Sequence, residues 1–310
     1  MENKATREGY GKGLEEISKD ERVIALDADL SGSTKSNVMC KISPERFINV
    51  GIAEQDLVGM AAGLALSGKI PFASTFAVFA TARAHDQVRV SVAYANLNVR
   101  IVGSHAGLLT GEDGPTHQAI SDIATMRSIP NISVIHPADY IEAKQATKYL
   151  LKHKGPVYLR LGRSKLPIIN KEDYKFEFGK AIILKKGSDV TIIATGPLVH
   201  EALSAHEELK KQNISAEIIN IHTIKPIDKK TIIESAKKTK AVVTAEDHNI
   251  IGGLGSAVSE VLSENQPTPI EMIGVKDTFA ESGKPMELYE KYGLTSKHII
   301  KAVKKVLKRK

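Results

Sequence analysis

The sequence predicts an α/β fold of two domains with mainly parallel sheets flanked by helices, and three observations carry that expectation. Short apolar runs rich in β-branched residues alternate with longer stretches of helical period. At 310 residues the chain exceeds one ordinary domain, and a polar stretch of weak periodicity separates two such series. The composition is globular: 42% apolar and 25% charged residues, 5% aromatic, no tryptophan.

In the first series RVIALDA (22–28), RFINVGI (46–52), PFASTFA (71–77), NVRIVGS (98–104), ISVIHP (132–137) and PVYLRLG (156–162) read as strands. Between them, AEQDLVGMAAGLALSG places Leu57, Met60, Ala61 and Leu64 at i, i+3, i+4 and i+7, one apolar helix face. After Arg163 the stretch SKLPIINKEDYKFEFGKAIILKKGSD reads as a linker with an edge hairpin. The second series follows in DVTIIATG (189–196), SAEIINIHTI (215–224), KAVVTAED (240–247) and PIEMIGV (269–275), with helices near 198–212, 228–237, 254–264 and 295–308. The expected division is a first domain at 1–170, a linker at 171–188 and a second domain at 189–310.

Composition also narrows the function. The single Cys40 permits no internal disulfide and reads as a buried small apolar side chain in a reducing, cytoplasmic setting. The polar opening and the short run GMAAGLALSG (59–68) argue against a targeting segment or membrane span. The net charge of +7 sits largely in lysine-rich exposed positions such as KAVKKVLKRK, without interleaved aromatics, which argues for a solvated helix face and against nucleic acid.

In parallel sheets ligands bind beyond the carboxyl ends of the strands. There the first domain gathers Asp27, Asp29 and Ser33 after one strand and Glu54 after the next. Phe76 and Phe79 end the third, His105, Asp113 and His117 follow the fourth, and Arg163 follows the last. Each alone has a plainer reading: Glu54 as a helix cap, the phenylalanines as core, GEDGPTHQ (111–118) as a solvated turn before Pro115. A metal held by His105, Asp113 and His117 lacks a paired motif such as HExxH, and no GxSxG serine elbow is present. Acid–base work with hydroxyl recognition suits the set better. GGLG (252–255) resembles a phosphate loop only weakly, and close backbone packing explains its glycines.

Taken together, NVGIAEQDLVGMAAGLA, STFAVFATARAHDQVR, GSHAGLLTGEDGPTHQAISDIATMRSIPN and AEDHNIIGGLGSAV resemble the C-terminal half of a transketolase, in order from about Thr6 to the chain end. The resemblance implies a pyrimidine-binding domain followed by a transketolase C-terminal domain, and thiamine diphosphate as cofactor. The diphosphate and its Mg²⁺ or Ca²⁺ are then expected on a companion N-terminal subunit, with no metal held by this chain. It also implies an α2β2 heterotetramer and sugar phosphates as substrates of a two-carbon ketol transfer. By resemblance Glu54 hydrogen-bonds N1′ of the aminopyrimidine, Phe76 and Phe79 pack on that ring, and Asp29 lies near the cofactor. Arg7, Ser33, His105 and Arg163 match the sugar-phosphate positions, the two guanidinium forks, the hydroxyl and the imidazole being read as donors to a dianion. Asp113 matches the reader of a substrate hydroxyl, and His117, with His105, the proton traffic at the ketose carbonyl.

Two departures stand out: spacing after Phe79 is shifted by one residue against some relatives, and His85 stands where an aromatic is common. Glu112 has no expected role. The alternatives are a 1-deoxyxylulose-5-phosphate synthase or a 2-oxo acid dehydrogenase β-subunit, against which His105 with GEDGPTHQ speaks, and a non-catalytic scaffold subunit of the same fold.

Overall fold

The computed structural model describes residues 3–310. Its strands are β1 (Asn3–Lys4), β2 (Val23–Asp27), β3 (Phe47–Asn49), β4 (Ile70–Phe76), β5 (Arg100–Ser104), β6 (Ser133–Ile135) and β7 (Val157–Arg160). They continue with β8 (Leu166–Pro167), β9 (Ile182–Lys185), β10 (Val190–Ala194), β11 (Ala216–Asn220), β12 (Thr223–Lys225), β13 (Val242–Asn249) and β14 (Ile270–Val275). A seven-stranded sheet has the order β12-β6-β7-β5-β4-β2-β3, and a five-stranded sheet the order β14-β13-β10-β11-β9. All pairings within β6-β7-β5-β4-β2-β3 and within β14-β13-β10-β11 are parallel. The mainly apolar character of β2, β10 and β11 follows, because every residue of these strands is buried.

Three expectations change. The stretch after Arg163 forms no hairpin: β8 pairs antiparallel with β1 at the chain start, and β9 closes the edge of the second sheet against β11. The run 215–224 is two strands, not one. β11 stays in the second sheet, and the chain then crosses over so that β12 lies antiparallel on β6 of the first. At the crossing Ile221 N donates to Ala194 O at 2.9 Å while His136 N donates to His222 O at 2.8 Å, so adjacent residues bond to different sheets. Cys40 is exposed, on the outer side of the helix Asn37–Ile42, and not part of the core.

Segments Phe79–Arg83 and Val88–Tyr94 are wound as π-helix. A π turn takes one extra residue per turn. Among the described residues no helix is long and apolar enough to cross a membrane.

Candidate functional site

Because β3, β2, β4, β5 and β7 run parallel, their carboxyl ends line one edge, and the segments that leave it carry the candidate residues. β3 ends in a turn at Gly51, φ +74°, which redirects the chain into the helix Glu54–Leu66. Glu54 is that helix's first residue and only 2% exposed. Its carboxylate is engaged sideways: both oxygens accept from Arg83 Nη1 at 3.0 Å. Arg83 also lies over the Phe79 ring, 4.3 Å from its centroid.

The aromatic groups form one continuous wall. Phe76 and Phe79 are near-parallel, 15° apart at 5.9 Å, and the His105 imidazole stacks on Phe76 at 3.9 Å. His117 stands edge-on to both phenyl rings at 6.1 and 5.3 Å, so the loop and the end of β4 meet at this wall. Thr116 Oγ1 lies 2.9 Å from His117 Nδ1 and fixes the ring.

His105 is 3% exposed, in the left-handed region at φ +58°. Its Nδ1 lies 2.8 Å from Ser104 Oγ and its Nε2 3.3 Å from Arg7 Nη1. Arginine only donates, so Nε2 accepts and the ring proton sits on Nδ1. Burial, and then the nearby Arg7, Arg163, His117 and Lys35, pull its pKa down to about 3. In this arrangement the imidazole accepts from Arg7 through Nε2 and helps to orient it.

Arg7 Nη1 also donates to Ser33 O at 2.9 Å, which ties Ser33 to the same guanidinium. Arg7 Nε is buried with no protein partner among the described residues, and burial and then Arg163 lower the Arg7 pKa. A buried donor next to a second guanidinium suits an anion. Arg163 donates to Thr110 O at 2.9 Å and Asp113 Oδ1 at 3.1 Å, and lies 3.8 Å from Glu112, which gives Glu112 a place beside the loop's cation. Asp29 is exposed and accepts from Asn49 at 2.9 Å, at the same edge but outside the aromatic wall. His105, Asp113 and His117 are not grouped as metal ligands, and no cluster of three or more His, Cys, Asp or Glu able to hold a metal occurs among the described residues.

Sequence reasoning missed the residues that hold the loop. Gly107 and Gly114 bracket the turn Leu108–Asp113 with nearly the same backbone, φ +75° ψ −172° and φ +74° ψ −171°. Asp247, on β13 and 1% exposed, accepts from Leu108 N at 2.8 Å, Leu109 N at 3.4 Å and Tyr289 OH at 2.9 Å. Arg160 is fully buried and bidentate to Asp122 at 2.6 and 3.1 Å, and its Nη2 donates to Ala119 O and Asp247 O. The single arginine inside the apolar run PVYLRLG was the available signal. In GGLG the helix start is filled by Glu246, which accepts from Leu254 N at 2.7 Å and Gly255 N at 2.8 Å; burial raises its pKa to about 7. The protein's own carboxyl thus occupies that candidate phosphate loop.

Comparison with known proteins agrees with this geometry. The transketolase pyrimidine-binding domain matches residues 2–168 and the transketolase C-terminal domain residues 179–299. A protein of Methanocaldococcus jannaschii described as a transketolase C-terminal section is 51% identical over 99% of this chain and 97% of its own length. A 6-deoxy-6-sulfo-D-fructose transketolase subunit of a Clostridium species is 48% identical over 96% and 92%. A solved structure of a split-gene transketolase, an inactive β4 tetramer, superposes with a TM-score of 0.92 at 50% identity, covering 98% of both chains. The chain belongs to the transketolase family, and its two halves are that family's pyrimidine-binding and C-terminal domains.

Proposed function

We propose that this chain is the C-terminal subunit of a two-chain transketolase, moving a two-carbon ketol unit from a ketose phosphate to an aldose phosphate with thiamine diphosphate. The observation that carries the reading is the meeting of a buried carboxylate, Glu54, with the Phe76–Phe79 wall and the anion-seeking Arg7 at one sheet edge. The donor set fits the pyrimidine half of the cofactor. A water-poor carboxylate suits a ring nitrogen that shares a proton, and phenyl rings suit its faces. Thiamine diphosphate, when bound, supplies the electron sink that lets a ketose carbon–carbon bond break.

The chain's own groups then have distinct tasks. Glu54 holds the pyrimidine through a proton at its carboxylate, and Asp29 lies at the cofactor's rim. Arg7, placed by His105 and Ser33, and Arg163 take the sugar's anionic end. Asp113 accepts from a sugar hydroxyl with the oxygen Arg163 leaves free, and His117 moves the proton at the ketose oxygen. The diphosphate and its Mg²⁺ or Ca²⁺ are assigned to a companion N-terminal subunit in an α2β2 assembly, as suits a chain that matches a transketolase C-terminal section over its whole length. That the similar β4 tetramer is inactive supports the need for such a partner.

The test is reconstitution. The chain is purified from its host with whatever accompanies it, and the complex and the isolated chain are assayed with xylulose 5-phosphate plus ribose 5-phosphate, and with pyruvate plus an aldehyde. Ketol transfer by the complex alone is expected. Full activity of the isolated chain, or preference for pyruvate, sinks the proposal. A donor with a sulfonate in place of phosphate belongs in the same assay, since a 48% identical relative is a 6-deoxy-6-sulfo-D-fructose transketolase subunit.

A further inference from the structure

One side chain already sits where the cofactor ring is assigned. The Arg83 guanidinium lies 4.3 Å above Phe79 and donates to both oxygens of Glu54 at 3.0 Å. A flat group that stacks on that phenyl ring and gives an N–H to that carboxylate makes both contacts expected of an aminopyrimidine.

We propose that Arg83 is an internal stand-in for the pyrimidine: it fills the Glu54–Phe79 niche in the cofactor-free chain and must swing outward for thiamine diphosphate to enter. Electrostatics explain why the niche needs an occupant. A carboxylate that is 2% exposed is costly to leave ionised and unpaired, so a cation neutralises it until the ring arrives. Geometry explains how the occupant leaves. The Arg83 side chain is 52% exposed, and among the described residues its guanidinium hydrogen-bonds only Glu54, so the path to solvent is open. The π-wound turn Phe79–Arg83 sets both members of the stack, placing the guanidinium over a ring four residues earlier in its own segment. Arg83 is therefore a gate on cofactor entry that keeps Glu54 paired and ordered.

The inference rests on the assignment of Glu54 and Phe79 as pyrimidine contacts, and the experiment separates the two. Thiamine diphosphate is titrated calorimetrically into the complex of this chain with its companion, and its association rate is followed by stopped flow. Wild type is compared with Arg83→Met, Arg83→Lys, Glu54→Gln and the Arg83→Met/Glu54→Gln double variant. Arg83→Met is expected to bind about two- to fivefold tighter, the range an exposed ion pair contributes, and to associate faster. Arg83→Lys should fall between, because an ammonium pairs with Glu54 but cannot lie flat on Phe79. It gives the same comparison should Arg83→Met fail to assemble. In the Glu54→Gln background the gain from Arg83→Met should vanish, since the competing pair is already gone. Weaker or equal binding by Arg83→Met, while Glu54→Gln still loses affinity, overturns the stand-in and leaves the cofactor site intact. Unchanged affinity in Glu54→Gln overturns that assignment and the inference with it.

Discussion

At the residue scale the site is decided by who holds whose proton and whose charge. His105 has both ring nitrogens committed, to Ser104 and to Arg7, and burial with its cationic neighbours pulls its pKa down to about 3, which favours the neutral imidazole in this arrangement. Its value is positional, and the group it positions is Arg7, whose Nε is the buried donor without a protein partner. If that donor meets the substrate's anion, Arg7→Gln removes one charge-assisted hydrogen bond of about 1.5–3 kcal/mol, about 10- to 150-fold in KM for a phosphorylated ketose. The chemical step does not use Arg7, so kcat should change less than threefold by the same reasoning on interactions shared by ground and transition states. An unphosphorylated donor such as erythrulose should be nearly insensitive. Steady-state kinetics of the reconstituted complex with both donors decide it: equal losses with both would make Arg7 a scaffold residue.

At the element scale the loop GEDGPTHQ works because its ends are clamped. Gly107 and Gly114 occupy backbone that only glycine adopts readily, and the Leu108–Asp113 turn between them hangs on Asp247 from the second sheet. A methyl at Gly107 would collide with the Asp247 carboxylate. Gly107→Ala should therefore cost about 2–4 kcal/mol, from backbone strain of about 1–3 kcal/mol plus a weakened buried hydrogen bond. An unchanged urea midpoint would show that the clamp yields freely. The sequence made Asp113 and His117 legible as a pair, because Gly114-Pro115 marks a loop between them and β5 marks where that loop begins. Strand-end placement made Glu54, Phe76, His105 and Arg163 legible for the same reason: parallel βα order alone dictates a shared edge. Arg83, Asp247 and Arg160 were not legible. Their roles depend on a π-wound turn and on packing between residues 29 to 139 apart, which periodicity within a window does not encode. The crossing from β11 to β12 was hidden likewise, since IINIHTI reads as one apolar run whichever sheet each half joins.

At the scale of the whole molecule, the two sheets share more than a linker. β12 extends the first sheet from beyond β11, and Lys225 on it donates to Arg127 O at 2.8 Å and Ile129 O at 2.5 Å. Arg160 of the first sheet donates to Asp247 O of the second, and one core cluster mixes Ile123, Met126 and Val134 with Ile219, Leu254 and Val258. A chain ending at residue 170 would leave β6 as a bare edge, uncover that apolar face and strip Leu108 and Leu109 of their carboxylate partner. Its internal contacts keep β2 to β7 paired, so secondary structure should survive while fixed packing does not. The expected outcome for the 1–170 fragment is far-UV circular dichroism of an α/β protein with a broad, non-cooperative urea transition and strong binding of a hydrophobic dye. A sharp transition without dye binding would mean that the pyrimidine-binding half folds on its own. Site and partner would then be separable, and the second domain would be needed only to aim the loop through Asp247.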